Sequence, residues 1–104
     1  MAFDSVKWDE AKDGVLNEAA LRRKIESLGY SVTRHVYPPG TYFPDHIHGA
    51  DKIDAVVSGR FLMTTREGTL VLEAGDYLEV PKKTVHRAEV LGRDPVVSLD
   101  AIRI

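Results

Sequence analysis

The sequence predicts an all-β fold with a short N-terminal helix, for two main reasons. Beyond residue 29, short runs of β-branched and aromatic residues alternate with polar residues, which is the two-residue period of a half-buried strand. Glycine and proline separate these runs at short intervals, as they do at the turns of antiparallel sheets. The chain has 104 residues, of which 43% are hydrophobic, enough to bury one core. These observations favour a single domain built as an antiparallel barrel or a sandwich.

Residues 1–29 are predicted to form an N-terminal arm followed by a helix. Phe3, Val6 and Trp8 lie among charged residues, as expected of a short edge strand or of an arm that lies on the β domain. Because these apolar side chains would otherwise face water, we expect the arm to take part in a homodimer.

The helix is predicted over residues 18–28. Asn17 suits the N-cap position, because its side chain can accept a hydrogen bond from the first turn. Leu21, Ile25 and Leu28 follow at the i, i+4, i+7 spacing of one helical face. The glycine that comes next is the residue that most often ends a helix.

Residues 30–104 are predicted to form the β domain. The first strand ends at two prolines and a glycine, which favour a turn, and a Ser-Gly pair joins the second and third strands as a hairpin. The seven predicted strands cover residues 30–37, 53–57, 60–65, 69–73, 77–80, 85–91 and 96–104.

Charge and composition exclude several classes of function. The net charge is −2 at pH 7, so the sequence does not indicate a basic surface that would bind nucleic acid or an anionic membrane. The absence of cysteine excludes a disulfide framework and thiol catalysis. The first residues carry neither a basic segment nor an apolar run, and no segment approaches the length of a membrane span. A cytoplasmic protein is therefore the expectation.

Three histidines are the candidate metal ligands. His46 and His48 are two positions apart in an extended segment, so their side chains are expected to point the same way. His86, on a strand that closes against that segment, would supply a third nitrogen. Imidazole nitrogens suit divalent transition metals such as iron, nickel and zinc. Histidine pairs of this kind are also common on surfaces, so the pair alone is a weak signal.

The spacing around the histidines resembles the two sequence motifs of the cupin family. The first motif has a glycine, five residues, His-x-His and a later glycine; the second has a glycine, five residues, a proline and a histidine. The matching positions are Gly40, His46, His48, Gly59, Gly75, Pro81 and His86. Three positions depart from the family: Lys52 stands where the family has a metal-binding glutamate, Lys83 replaces a glycine, and Val90 replaces an asparagine.

The resemblance implies a jelly-roll barrel over about residues 30–103, commonly a homodimer, with a small-molecule ligand or substrate in its cavity. It also implies a divalent transition metal (Fe, Ni, Zn or Mn) held by the three histidines, here below full occupancy because the ligand set is incomplete. Two functions stay open: a metal-dependent, oxygenase-type enzyme acting on a small organic molecule, and a non-catalytic binding or sensing domain. Nothing beyond the histidines identifies a catalytic group.

Lys52 decides between these functions. If the glutamate position faces the cavity, as the resemblance implies, Lys52 and Asp54 both point inward, and Tyr42 is a further candidate for the pocket. An ammonium about 5 Å from a dication is repelled by roughly 6–7 kcal/mol at an effective dielectric of about 20. Lys52 must therefore turn out to water, lose its proton, or pair with Asp54 in place of a metal.

Overall fold

Two helices and eight strands follow one another in the computed structural model, which describes residues 3–104. The elements are α1 (Glu10–Asp13), α2 (Glu18–Ser27), β1 (Tyr30–Tyr37), β2 (Tyr42–His46), β3 (Lys52–Ser58), β4 (Arg60–Thr65), β5 (Gly68–Leu72), β6 (Tyr77–Val80), β7 (His86–Leu91) and β8 (Val96–Arg103). The all-β prediction with an N-terminal helix is confirmed, and all seven predicted strands are present. The structure adds β2, which carries His46, and the four-residue helix α1.

The strands form two four-stranded antiparallel sheets. One sheet has the order β1-β8-β3-β6 and the other β2-β7-β4-β5, so neighbours in a sheet are often distant in sequence. The sheets face each other as a jelly-roll barrel and bury an apolar core between them. The buried residues of this barrel core are Val56, Phe61, Met63, Leu72, Leu78, Val80, Ala88, Val90 and Val96.

Helix α2 covers the outer face of the first sheet. Its N-cap is Asn17, whose side chain accepts a hydrogen bond of 2.8 Å from the backbone N–H of Ala20, as predicted. Leu21 and Ile25 are fully buried in a second core that also contains residues of β1, β3, β6 and β8. Leu28 lies just past the end of the helix and is partly exposed, so the apolar face is one residue shorter than predicted.

The N-terminal arm lies on its own barrel. Val6 exchanges two backbone hydrogen bonds with Tyr77, of 2.8 and 3.0 Å, and so covers part of the free edge of β6. Phe3 packs against the barrel core and Trp8 against the second core. The predicted arm began at Met1; residues 1 and 2 lie outside the described residues. Because the apolar side chains of the arm are partly covered within one chain, they give no reason for a dimer, and the homodimer stays a prediction.

Two glycines of the sequence motifs occupy places that only glycine fits. Gly59 has φ +89°, and a Cβ at this position would lie 2.4 Å from the carbonyl oxygen of Pro95. Gly75 also has φ +89°, and its Cβ would lie 2.7 Å from the Cβ of Trp8. A side chain at either position would be strained by the backbone and would also clash. Among residues 3–104, no helix is both long and apolar enough to cross a membrane.

Candidate metal centre

The three histidines converge at one end of the barrel. His46 ends β2 and pairs with His86, the first residue of β7, across the second sheet. His48 lies two residues beyond β2, and its carbonyl oxygen accepts a hydrogen bond of 2.9 Å from the backbone N–H of Lys83. One candidate ligand nitrogen from each ring lies within 4.8 Å of the other two. The predicted convergence of the three side chains is therefore observed.

Backbone carbonyls orient two of the imidazoles. Nδ1 of His46 lies 2.7 Å from the carbonyl oxygen of Pro44, and Nδ1 of His86 lies 2.8 Å from that of Thr84. A carbonyl oxygen only accepts, so in both rings Nδ1–H donates and Nε2 keeps its lone pair. This is the usual arrangement of histidines that bind a metal, because the second hydrogen bond fixes the ring and its tautomer.

The environment favours the neutral form of two of the imidazoles, those of His48 and His86. Burial lowers the pKa of His48, and the nearby charge of Lys52 lowers it further. Burial also lowers the pKa of His86, although its hydrogen bond to Thr84 acts in the opposite direction. Neutral imidazole is the form that donates an electron pair to a metal, so the lowered pKa values of His48 and His86 favour metal binding.

The geometry of the set fits a transition-metal ion. Ring centroids of the three pairs lie 4.1, 4.9 and 5.2 Å apart. Nitrogens bound to one tetrahedral zinc ion lie about 2.0–2.1 Å from it and therefore about 3.3–3.4 Å from one another. The observed upper limit of 4.8 Å is wider than this by about 1.4 Å. Rotation of the partly exposed His46 and His48 side chains toward the buried His86 would bring the nitrogens together, and three donors leave a further position on the ion for a ligand.

The histidines open onto a cavity of about 140 Å³ between the two sheets. One wall is apolar and largely aromatic, with Tyr37, Phe43 and Phe61 in mutual contact at centroid distances of 4.9 to 6.2 Å. The other wall, formed by strands β3 and β8 of the first sheet, is charged. The lining residues are Tyr37, Phe43, His46, His48, Lys52, Asp54, Phe61, Met63, His86, Ala88 and Asp100.

Lys52 faces the cavity, but its partner is not the one predicted. Its Nζ lies 2.6 Å from Oδ1 of Asp100, and the Lys52 side chain is only 15% exposed. Lys52 therefore neither turns out to water nor pairs with Asp54. The reason is the register of β3 and β8, which places Asp54 directly opposite Asp100 and so brings a second carboxylate beside the lysine.

Burial perturbs two further groups of the cavity. It raises the pKa of Asp54 to about 6, with a further contribution from the negative charge of Asp100. It also raises the pKa of Tyr37 to about 12, again with the help of Asp100 and Asp54. The Tyr37 hydroxyl therefore stays protonated as a hydrogen-bond donor, whereas Asp54 can gain or lose a proton close to neutral pH.

The raised pKa of Asp54 makes stability depend on pH in a defined direction. Between pH 3.8 and about 6 the folded protein binds this proton while the unfolded chain has lost it, so the free energy of unfolding falls as pH rises through that range. Asparagine cannot lose this proton. With chelator present, the free energy of unfolding of Asp54→Asn should therefore rise by about 2 kcal/mol relative to that of the unmodified protein between pH 3.8 and about 6. Urea unfolding at a series of pH values measures the difference, and Asp94→Asn, in an exposed turn, controls for the loss of one carboxyl group. A difference that does not change with pH would contradict the raised pKa of Asp54.

The aromatic residue of β2 that lines the cavity is Phe43, not Tyr42. If side chains alternated strictly along β2, Tyr42 would point to the same side of the sheet as His46. A β-bulge, however, lies between Phe43 and His46. The bulge adds one residue and reverses the phase, so Tyr42 is 53% exposed on the outside of the barrel. The expectation for Tyr42 is therefore corrected.

Sequence reasoning also missed Asp100, which completes the charged wall. A signal for it exists, because Asp100 is the one acidic residue in an otherwise largely apolar strand, β8. A fourth histidine, His35, lies on β1 with Nε2 3.9 Å from Oδ2 of Asp100. It is not part of the three-histidine group.

Comparison with known proteins identifies the fold. A curated relative, the uncharacterized protein MJ1618 of Methanocaldococcus jannaschii, is 28% identical over 96 residues, which are 90% of this chain and 77% of the relative. A solved cupin-like protein from Thermotoga maritima superposes with a TM-score of 0.64 at 24% identity, covering 72% of this chain and 57% of that one. One chain from the crystal structures described as DMSP lyases RdDddP and RnDddQII superposes with a TM-score of 0.65 at 32% identity, covering 72% of this chain but only 38% of that chain. A family model described as Cupin domain matches residues 33–102. The chain belongs to the cupin domain family.

Proposed function

We propose that the protein binds one divalent transition metal through Nε2 of His46, His48 and His86 and takes a small organic molecule into the adjoining cavity. The observation that carries the proposal is the convergence of three imidazoles, two of which have their Nε2 lone pairs left free by backbone hydrogen bonds. The lowered pKa values of His48 and His86 and the adjoining cavity of about 140 Å³ support it further. The metal is expected below full occupancy, because three neutral ligands and a nearby lysine form a weak site.

The surroundings of the histidines suit an enzyme that acts on a small molecule. When bound, a metal of this kind supplies a Lewis acid, or a redox centre if it is iron. Phe43 and Phe61 shape the apolar wall and exclude water from that side. The Tyr37 hydroxyl can donate a hydrogen bond, and Asp54 can hold or release a proton near pH 6. The lyase named among the solved relatives supports small-molecule chemistry as a class; this chain spans 38% of that protein, and the proposal does not extend to its substrate.

A second candidate function is a binding or sensing domain without metal. The observation that favours it is the ion pair between Lys52 and Asp100, which places a fixed cation in the same cavity as the histidines. In this case the charged wall itself would hold a small polar ligand. The two functions differ in whether the untreated protein contains metal.

Metal analysis of the protein separates these functions. We expect elemental analysis of untreated protein to find clearly more than zero but less than one equivalent of a first-row transition metal. Incubation with iron, nickel or zinc followed by desalting should raise the content toward one equivalent. Protein that contains no metal and takes up none would contradict the proposed metal site and leave the binding domain as the function.

A further inference from the structure

We infer that Lys52 makes the metal-loaded cavity a site for a small monocarboxylate, whose negative charge lies between the bound ion and the lysine ammonium. The inference rests on the proposed metal site and names the class of molecule which that site takes up. It has a thermodynamic consequence: the metal and the carboxylate each increase the affinity of the protein for the other.

The position of Lys52 supports a direct role. Its backbone pairs with Val80, a residue of the barrel core, so both side chains point to the interior of the barrel. Asp100 holds the ammonium in the cavity through the 2.6 Å ion pair and prevents the long side chain from extending into water. The ammonium lies in the cavity that the three histidines also line.

The charge of the cavity reverses when a dication is bound. Imidazole coordinates a metal as the neutral ring, so histidine ligands bring no charge to the site. Without metal, the two carboxylates of Asp54 and Asp100 outnumber the ammonium of Lys52, so the ionised cavity carries one negative charge and repels an anion. With a dication, the positive charges exceed the negative ones by one. A single carboxylate restores neutrality, whereas a neutral molecule leaves the excess uncompensated in a partly desolvated site.

Size and lining restrict the rest of the ligand. A dry cavity of about 150 Å³ accommodates a molecule of the size of benzene, which has six non-hydrogen atoms. The cavity here is about 140 Å³ and its wall opposite Lys52 is formed by Phe43, Phe61, Met63 and Ala88. A monocarboxylate of three or four carbon atoms has five or six non-hydrogen atoms and therefore fits, while a larger or multiply charged acid does not.

The linkage can be measured with zinc and a pair of isosteric probes. Zinc titrations of the metal-depleted full-length protein are made by calorimetry with a fixed excess of propionate, or of propionamide, its neutral counterpart. Propionate should raise the zinc affinity at least fivefold, and propionamide less than twofold. Propionate should show no binding to the metal-free protein. Equal effects of the two probes, or no effect of either, would overturn the inference.

Two lysine variants test whether Lys52 carries the effect. Lys52→Met keeps an unbranched side chain that is one atom shorter and removes the charge, so the fold increase caused by propionate should drop below twofold. Lys82→Met, in the exposed turn before β7, removes one lysine outside the cavity and should retain the full increase. A Lys52→Met protein that keeps the full increase would overturn the role of Lys52. If zinc does not bind at all, the metal site itself fails; if zinc binds and propionate has no effect, only the carboxylate inference fails.

Discussion

Replacing His48 with alanine is expected to weaken zinc binding at least a hundredfold. The substitution removes one of only three nitrogen donors, and loss of a residue that merely orients a ligand already costs about 10- to 100-fold in affinity. His48 is the better choice for the test because it is partly exposed, whereas His86 is 3% exposed and its removal would leave a buried cavity. Competition with a chelator of known affinity measures the dissociation constant.

His35→Ala is the matched control for this variant. It also removes one imidazole from the inner side of the barrel, but His35 is outside the three-histidine group. Zinc affinity should then change less than threefold. Similar losses in the two variants would mean that zinc is bound elsewhere, and a His48→Ala protein with unchanged affinity would contradict the assignment of this ligand.

Lys52→Glu is expected to raise the metal affinity about a hundredfold, which corresponds to about 2.7 kcal/mol. The substitution removes a cation that faces the histidines and introduces a carboxylate in the position where the family has its fourth ligand. Removal of the repulsion alone, roughly 6–7 kcal/mol at about 5 Å before solvent relaxes it, is more than enough for this gain. Titration calorimetry of the unmodified and substituted proteins measures the change.

Two comparisons make the Lys52 result specific. Lys52→Ala removes the repulsion without adding a ligand, so it should recover only part of the gain. The metal-free Lys52→Glu protein should unfold at a lower temperature than the unmodified protein, because three carboxylates then face one another without the ammonium that pairs with Asp100. Unchanged metal affinity in both variants would show that Lys52 is not near the metal.

The fold was largely predictable because its signals are local. The two-residue period and the glycine turns placed the strands within about two residues, and the N-cap of Asn17 placed the start of α2. Helix α1 has only four residues and begins at the Asp9 cap, so it is too short to show a helical period. Strand β2 also went unpredicted, because its five residues include a proline and a bulge, which interrupt the two-residue period of a strand.

The candidate site was predictable only in part, because part of it depends on distant pairing. The grouping of the three histidines could be predicted from the spacing of the two sequence motifs. The partner of Lys52 does not, since Asp100 lies 48 residues later and reaches the lysine only through the β3–β8 register. The bulge in β2 adds a single residue, so that Phe43 faces the cavity and Tyr42 faces outward. Strict alternation of side chains along the strand does not reveal this change.

The central claim, that His46, His48 and His86 hold a metal, is tested most directly by locating the ion. Crystals grown or soaked with zinc and measured at the zinc absorption edge give an anomalous map that shows where the metal lies. We predict one strong peak about 2.1 Å from Nε2 of each of the three histidines, with Nδ1 of His46 and His86 still bonded to the backbone carbonyls. An anomalous map with zinc elsewhere on the protein and no peak among the three rings would contradict the claim.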